Sequence, residues 1–238
     1  MWFEEMSLED LPVVEERAVF VDGGADAENF KALVRKGSRY VYDIVTKRYE
    51  PIQHREVVET ARKILKEFKF ENFDEKIIID GQHGARLFYR VLLEDYDVDG
   101  DKMRFGLQIT NSYDRSFGIN VNGYGFRIAC SNIMVFGKEL MSEFAMHTRS
   151  TKAEDLAKLK DMIANVLDNL IVVKDAIKAA KSGVVSATEL AQLIDSLDIS
   201  KKLKIRIARV LRKETGFDIT KKLDELEAER TLINRWAA

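Results

Sequence analysis

Two hundred and thirty-eight residues, 46% hydrophobic and 33% charged, with one cysteine and two prolines, describe one large or two small globular domains and exclude collagen-like, mucin-like and wholly disordered chains. A lone thiol forms no internal disulfide, no apolar run nears the ~20 residues of a membrane span, and the acidic start MWFEEMSLEDLPVVEE lacks the basic region of a secretion signal. The expected location is the cytoplasm, and a net charge of -2 neither demands nor forbids a nucleic-acid partner.

Charge is segregated along the chain. Residues 1–28 hold nine acids against one base, Arg17, whereas residues 31–69 hold eleven bases against five acids. This pattern predicts an acidic N-terminal arm over 1–30, either solvated or laid over a basic surface in competition with a polyanion. An α+β core over 31–150 and an all-helical region over 151–238 follow. Within the core, Arg39-Tyr40-Val41-Tyr42-Asp43-Ile44-Val45 reads as a strand, and Pro51 opens a helix. Val57, Val58, Ala61, Ile64, Leu65 and Phe68 give that helix one apolar stripe, while Arg55, Arg62, Lys66 and Lys69 form a basic ridge.

From residue 76 the pattern turns to alternation. Lys76–Asp80, Ala85–Leu93, Met103–Thr110, Phe117–Val121 and Phe126–Ala129, separated by Gly/Asp/Asn-rich turns, predict a twisted antiparallel meander. Met103, Phe105, Leu107 and Ile109 alternate with Arg104, Gly106, Gln108 and Thr110, so one face is core and the other polar. In matching register that polar face gathers Arg86, Arg90 and Arg104 around Phe88, with Phe88 or Tyr89 as a stacking ring: chemistry suited to phosphates and an unstacked base, although solvated sheet faces carry arginine too. Asp95 to Asp101 copies the start of a calcium loop, but Gly106 stands where the bidentate Glu belongs, so a charged hairpin turn is expected.

Beyond residue 150 the chain reads as helical. Thr151 and Glu154 form a capping box, and Leu156, Leu159, Ile163, Val166, Leu170, Val173, Ile177 and Ala180 repeat as a heptad seam. The seam either packs on later helices, Ala187–Leu197 and Lys201–Thr215, or joins copies of the chain as a homo-oligomer. A last helix is expected from Thr220 to about Trp236. Between Lys201 and Lys213 lie seven bases and no acid, with Lys202, Arg206, Arg209 and Lys213 on one ridge, either a solvated face or a polyanion contact.

Cys130, Asn132 and His147 include the residue types of a thiol nucleophile with its base and orienter, although a buried structural cysteine explains Cys130 as well. Three histidines and one cysteine argue against zinc, no phosphate-binding loop motif occurs, and neither metal nor cofactor is expected.

The most specific string is Gln108-Ile109-Thr110-Asn111-Ser112-Tyr113-Asp114-Arg115-Ser116, followed by Phe126-Arg127-Ile128-Ala129-Cys130-Ser131-Asn132 and Met146-His147-Thr148. It resembles the phage and plasmid-like protein family, domain of unknown function 932, over residues 35–150. Members look like an Asn-Ser-His-Asp-Gly-Ser turn, a strand ending Arg-Val-x-Cys-x-Asn, a helix and an Arg-His-Thr tripeptide; Tyr49-Glu50-Pro51-Ile52-Gln53 is similar to the family's strand-to-helix passage. This chain departs from that pattern at Tyr113, Arg115 and Met146, where the family tends to show His, Gly and Arg. The resemblance implies a mobile-element setting. The element order is also similar to the ring-forming single-strand annealing recombinases, a likeness of topology.

Asn111, Ser112 and Asp114 suit a tight turn that Arg127 and Asn132 lock to the next elements; the alternative is that Asn111, Asp114, Arg127, Asn132 and His147 converge on a ligand. The leading expectation is single-stranded nucleic-acid binding, with strand annealing as its extension, in an oligomer. Arg55, Arg62, Lys66, Arg86, Arg90 and Arg104 would hold phosphates, and affinity would fall steeply with salt. Its rivals are a non-enzymatic structural protein assembling through the C-terminal helices, and an enzyme built on the motif cluster.

Overall fold

The computed structural model describes residues 3–22, 24–80, 83–98, 101–127, 138–145, 152–181, 186–196, 201–216 and 218–226. Cys130, Asn132 and His147 lie outside them, as does Thr151. The chain is α+β, with two antiparallel sheets and helices. Strands β1 (Phe3–Met6), β5 (Asp74–Asp80), β6 (Arg86–Val98), β7 (Asp101–Ser112), β8 (Ile119–Arg127) and β9 (Lys138–Ala145) form one sheet in the order β1-β5-β6-β7-β8-β9. Strands β2 (Val14–Phe20), β3 (Asp26–Arg35) and β4 (Val41–Thr46) form the other, in that order.

Odd-numbered residues of the large sheet build the core. Ile77 and Ile79 on β5, Leu87, Tyr89 and Val91 on β6, Phe105, Leu107 and Ile109 on β7, and Ile119 and Val121 on β8 are buried in one apolar cluster. Helix α1 (His54–Glu67) closes it with Val57, Val58, Ala61, Ile64 and Leu65, the stripe expected from the sequence. Helices α2 (Lys152–Lys181), α3 (Ala187–Ser196) and α4 (Lys201–Thr215) pack into the same cluster through Leu159, Ile163, Val166, Leu170, Val173, Leu190, Ile194, Ile207 and Leu211. Leu159, Ile163, Val166, Leu170 and Val173, residues of the expected seam, are thus interior to a core shared with the sheet. A capping box opens α3: Glu189 N donates to Ser186 Oγ at 3.3 Å and Ser186 N to Glu189 Oε2 at 2.8 Å. Gly216, at φ 78°, ends α4, and residues 220–226 are again helical. No described helix is long and apolar enough to cross a membrane.

Four expectations are corrected. The acidic leader is woven into both sheets: β1 adds to the large sheet beside β5, and β2 pairs with β3. Three of its acids find bases, Glu16 beside Lys31, Glu5 beside Lys76 and Glu15 beside Arg17. The expected strands Phe117–Val121 and Phe126–Ala129 are one strand, β8, running through Asn122-Gly123. Gly123 is there because α2 crosses it: a Cβ at that position would lie 2.9 Å from Val166 Cγ1 and 3.3 Å from Leu170 Cδ2. Where the family pattern places a helix after Asn132, residues 138–145 form strand β9. Finally, Tyr89 offers no exposed ring; it is buried on the helix side.

Candidate functional site

Two places on the large sheet concentrate the residues singled out above: the turn that follows β7, and the face turned away from the helices.

In the turn, Ser112 Oγ donates to Phe117 O at 2.6 Å and accepts from Phe117 N at 3.3 Å, so one hydroxyl fixes both ends. Asp114 accepts from Ser116 N and from Arg86 Nε, both at 3.0 Å, and Arg86 also donates to Asp80 at 3.1 Å. Burial pushes the Asp114 carboxyl up, but the Ser116 and Arg86 hydrogen bonds outweigh it and hold it below the usual carboxylate range. Arg115 occupies a left-handed backbone at φ 54° and pairs with Asp43 on β4. Glycine, which the family tends to carry at that step, adopts this conformation without strain.

Asn111 reaches the start of α1. Its Nδ2 donates to Ile52 O at 3.0 Å and to His54 Nδ1 at 3.1 Å, which leaves the imidazole neutral with Nε2–H donating to Gly84 O at 3.2 Å. His54 is completely buried, and that burial lowers its pKa to about 3. The Tyr113 ring stacks on it at 3.8 Å, and the Tyr113 hydroxyl donates to Pro12 O at 3.1 Å. Gln53, the N-cap residue of α1, exchanges two hydrogen bonds with the Val14 backbone, at 2.9 and 3.0 Å. Asn111 therefore ties β7 to α1, Ser112 and Asp114 brace the turn itself and β6, and Arg115 and Gln53 make the links to the small sheet. Arg127 is not part of that lock. It ends β8 opposite Met103, eight residues along β7 from Asn111 and so about 27 Å away.

On the other face of the sheet, even-numbered residues line up across the strands. One row is Lys76–Arg90–Gln108–Asn122, from β5 to β8, and the next is Ile78–Phe88–Thr110–Asn120. On the opposite side of the first row, Gly106 pairs with Tyr124 and with Leu92. Phe88, Asn120, Asn122 and Tyr124 are half-buried and Arg90 is exposed. Arg90 Nε donates to Gln108 Oε1 at 3.0 Å and meets no carboxylate among the described residues. The Thr110 hydroxyl, buried between Phe88 and Asn120, has no hydrogen-bond partner among the described residues, a deficit of about 1–3 kcal/mol.

The expected phosphate track does not form as one surface. Arg62 lies on α1, on the helix side of the sheet, and is bound to Glu75, which also accepts from the Tyr89 hydroxyl at 2.5 Å. Arg55 donates to Leu8 O at 3.2 Å, tying the leader to α1. Lys66 is exposed on α1, and Lys202 and Arg209 are exposed on α4, away from the polar face. Arg206 is half-buried on α4 beside them. Arg86 is held by Asp80 and Asp114, and Arg104 by Asp74 at 2.9 Å. Only Arg90 and Phe88 keep the expected setting. Gln108 lies on the expected polar face, whereas Asn120, Asn122 and Tyr124 go unmarked in the sequence because Asn122-Gly123 reads as a turn that breaks β8. Among the described residues no group of three His, Cys, Asp or Glu side chains could hold a metal ion.

Neither the curated proteins nor the solved structures contain a match to the chain. A family model does match: residues 41–226, from β4 through the last described helical turn, place the chain in the family described as Domain of unknown function (DUF932), to which it belongs.

Proposed function

We propose that the protein binds single-stranded nucleic acid on the polar face of its large sheet. The observation that carries this reading is the placement of two rings, Phe88 and Tyr124, on either side of the Lys76–Arg90–Gln108–Asn122 row. Unstacked bases lie on aromatic rings while a cationic side chain meets the backbone between them, an arrangement that a duplex with its bases stacked inside cannot use. A setting in phage or plasmid recombination or replication, and annealing of complementary strands by an oligomer, extend the proposal on the strength of the family resemblance.

The test is fluorescence anisotropy of labelled single-stranded and duplex DNA against the whole protein, with light scattering on the same sample. Preferential binding of single strands supports the reading; no binding at low salt overturns it. A second reading, an interaction protein that assembles with its own copies, draws on a different observation. Phe30, Val41 and Ile44 share one face of the small sheet and remain 46%, 46% and 49% exposed. An oligomer that binds no nucleic acid would favour it.

A further inference from the structure

The polar face sets three carboxamides, Gln108, Asn120 and Asn122, beside an arginine that meets no carboxylate among the described residues, and this bears on what it reads. Resting on the single-strand proposal above, we infer that the face is a base reader with a preference for adenine-rich strands, rather than a backbone binder of any sequence.

The placement of the side chains is the argument. Among the described cationic side chains on this face, Arg86 is held by Asp80 and Asp114, Arg104 by Asp74, and Lys76 by Glu5. Arg90 alone faces outward without a carboxylate among the described residues, and its Nε is spent on Gln108. Few phosphates can therefore be neutralised. By contrast, Gln108 and Asn122 are direct cross-strand partners, and Asn120 stands two residues along β8 on the same face, opposite Thr110. Cross-strand partners lie about 5 Å apart and next-but-one residues about 7 Å apart, so the three carboxamides form one compact triangle. Gln108 uses its oxygen on Arg90 and keeps its amino group; Asn120 and Asn122 make no side-chain hydrogen bond among the described residues, so each presents a donor and an acceptor side by side. A carboxamide pairs bidentately with adenine, donating to N7 and accepting from N6. The unsatisfied hydroxyl of Thr110 lies next to Asn120 in the same row, a second polar group awaiting a partner. Phe88 and Tyr124 lie at opposite corners of this triangle, spaced for roughly two or three bases.

The experiment compares labelled oligo-dA, oligo-dC and oligo-dT, with oligo-rA as a further arm, on the full chain at 50 and 200 mM salt. The expected result is a preference for oligo-dA of about tenfold and a loss of less than about tenfold between the two salt concentrations. Asn122→Ala and Asn120→Ala should bring oligo-dA affinity down to that of oligo-dT without shifting the melting temperature. A stronger signal from oligo-rA assigns the site to RNA without altering the base preference. Equal affinity for the three DNA homopolymers with a steep salt dependence overturns the inference and leaves single-strand binding standing. Failure to bind any of them overturns the single-strand reading itself.

Discussion

The backbone N–H of His54 donates to the Tyr113 hydroxyl at 2.7 Å across 59 residues of sequence, while the two rings stack at 3.8 Å. That hydroxyl satisfies the first N–H of α1, which has no partner within the helix, and it sits in an environment from which water is excluded. Tyr113→Phe keeps the stack and removes the acceptor. The variant should lose about 1–3 kcal/mol of stability in urea denaturation, with nucleic-acid binding at the polar face unchanged.

His54 makes stability depend on pH in a defined direction. Unfolded, its imidazole takes a proton near pH 6.5; folded, desolvation holds it neutral down to about 3. The unfolded chain therefore binds the extra proton throughout that window, and the contribution present above pH 6.5 is lost progressively as pH falls. At pH 5 the loss is on the order of 2 kcal/mol relative to neutral pH. His54→Gln, which cannot titrate, should flatten this part of the profile. An unchanged slope between pH 7 and 5 in the variant would assign the dependence to other groups.

At Gly123, β8 and α2 approach so closely that a methyl group would sit 2.9 Å from Val166 Cγ1. Gly123→Ala should cost about 1–3 kcal/mol by forcing the helix off the sheet. Val166→Ala in the same chain should recover part of that loss, a coupling that a double-mutant cycle reads directly.

The sheet and helices were legible where periodicity is local. The stripe of α1, the alternation of β7 and the Ser186/Glu189 box each need only neighbouring residues to be recognised. The leader was not legible, because Val14-Glu15-Glu16-Arg17-Ala18 looks like a solvated acidic stretch until Lys31 and Leu33 on β3 supply its partners. Asn122-Gly123 carries a turn signal that tertiary contact overrides, and with it the polar row lost two of its amides. Tyr113 stood out only as a departure from the family pattern. Its role depends on His54, and no sequence rule links two residues so far apart. Among the cations the reason is electrostatic: composition shows the arginines but not that Arg62, Arg86 and Arg104 each meet a carboxylate.

Arg86 and Arg90, two residues apart on β6, should therefore behave differently. Arg86→Ala removes the guanidinium shared by Asp80, whose side chain is 12% exposed, and Asp114, and should lower stability by about 1–3 kcal/mol. Arg90→Ala leaves only Gln108 without its donor and should keep the melting temperature of the parent. In binding, the order reverses: Arg90→Ala weakens single-strand affinity and reduces the salt slope by about 0.7, the value for one phosphate contact on a single strand. Equal effects of the two variants on affinity would mean that both reach the ligand, against the geometry of the Asp80 and Asp114 pairs.

Phe88 and Tyr124 provide the decisive pair of substitutions, because stacking on a ring is lost without loss of charge. Each base on an aromatic side chain contributes about 1–3 kcal/mol, so Tyr124→Ala should weaken single-strand binding about tenfold or more. Phe88 also touches Phe117, with ring centroids 5.7 Å apart, so an alanine there would disturb the turn as well as the surface. Phe88→Leu retains apolar bulk against Phe117 and removes only the flat face. It should melt within a few degrees of the parent and still bind several-fold more weakly. Full affinity in both Phe88→Leu and Tyr124→Ala would move the nucleic acid off this face and turn attention to the exposed bases elsewhere, Lys66 on α1 and Lys202 and Arg209 on α4 among them.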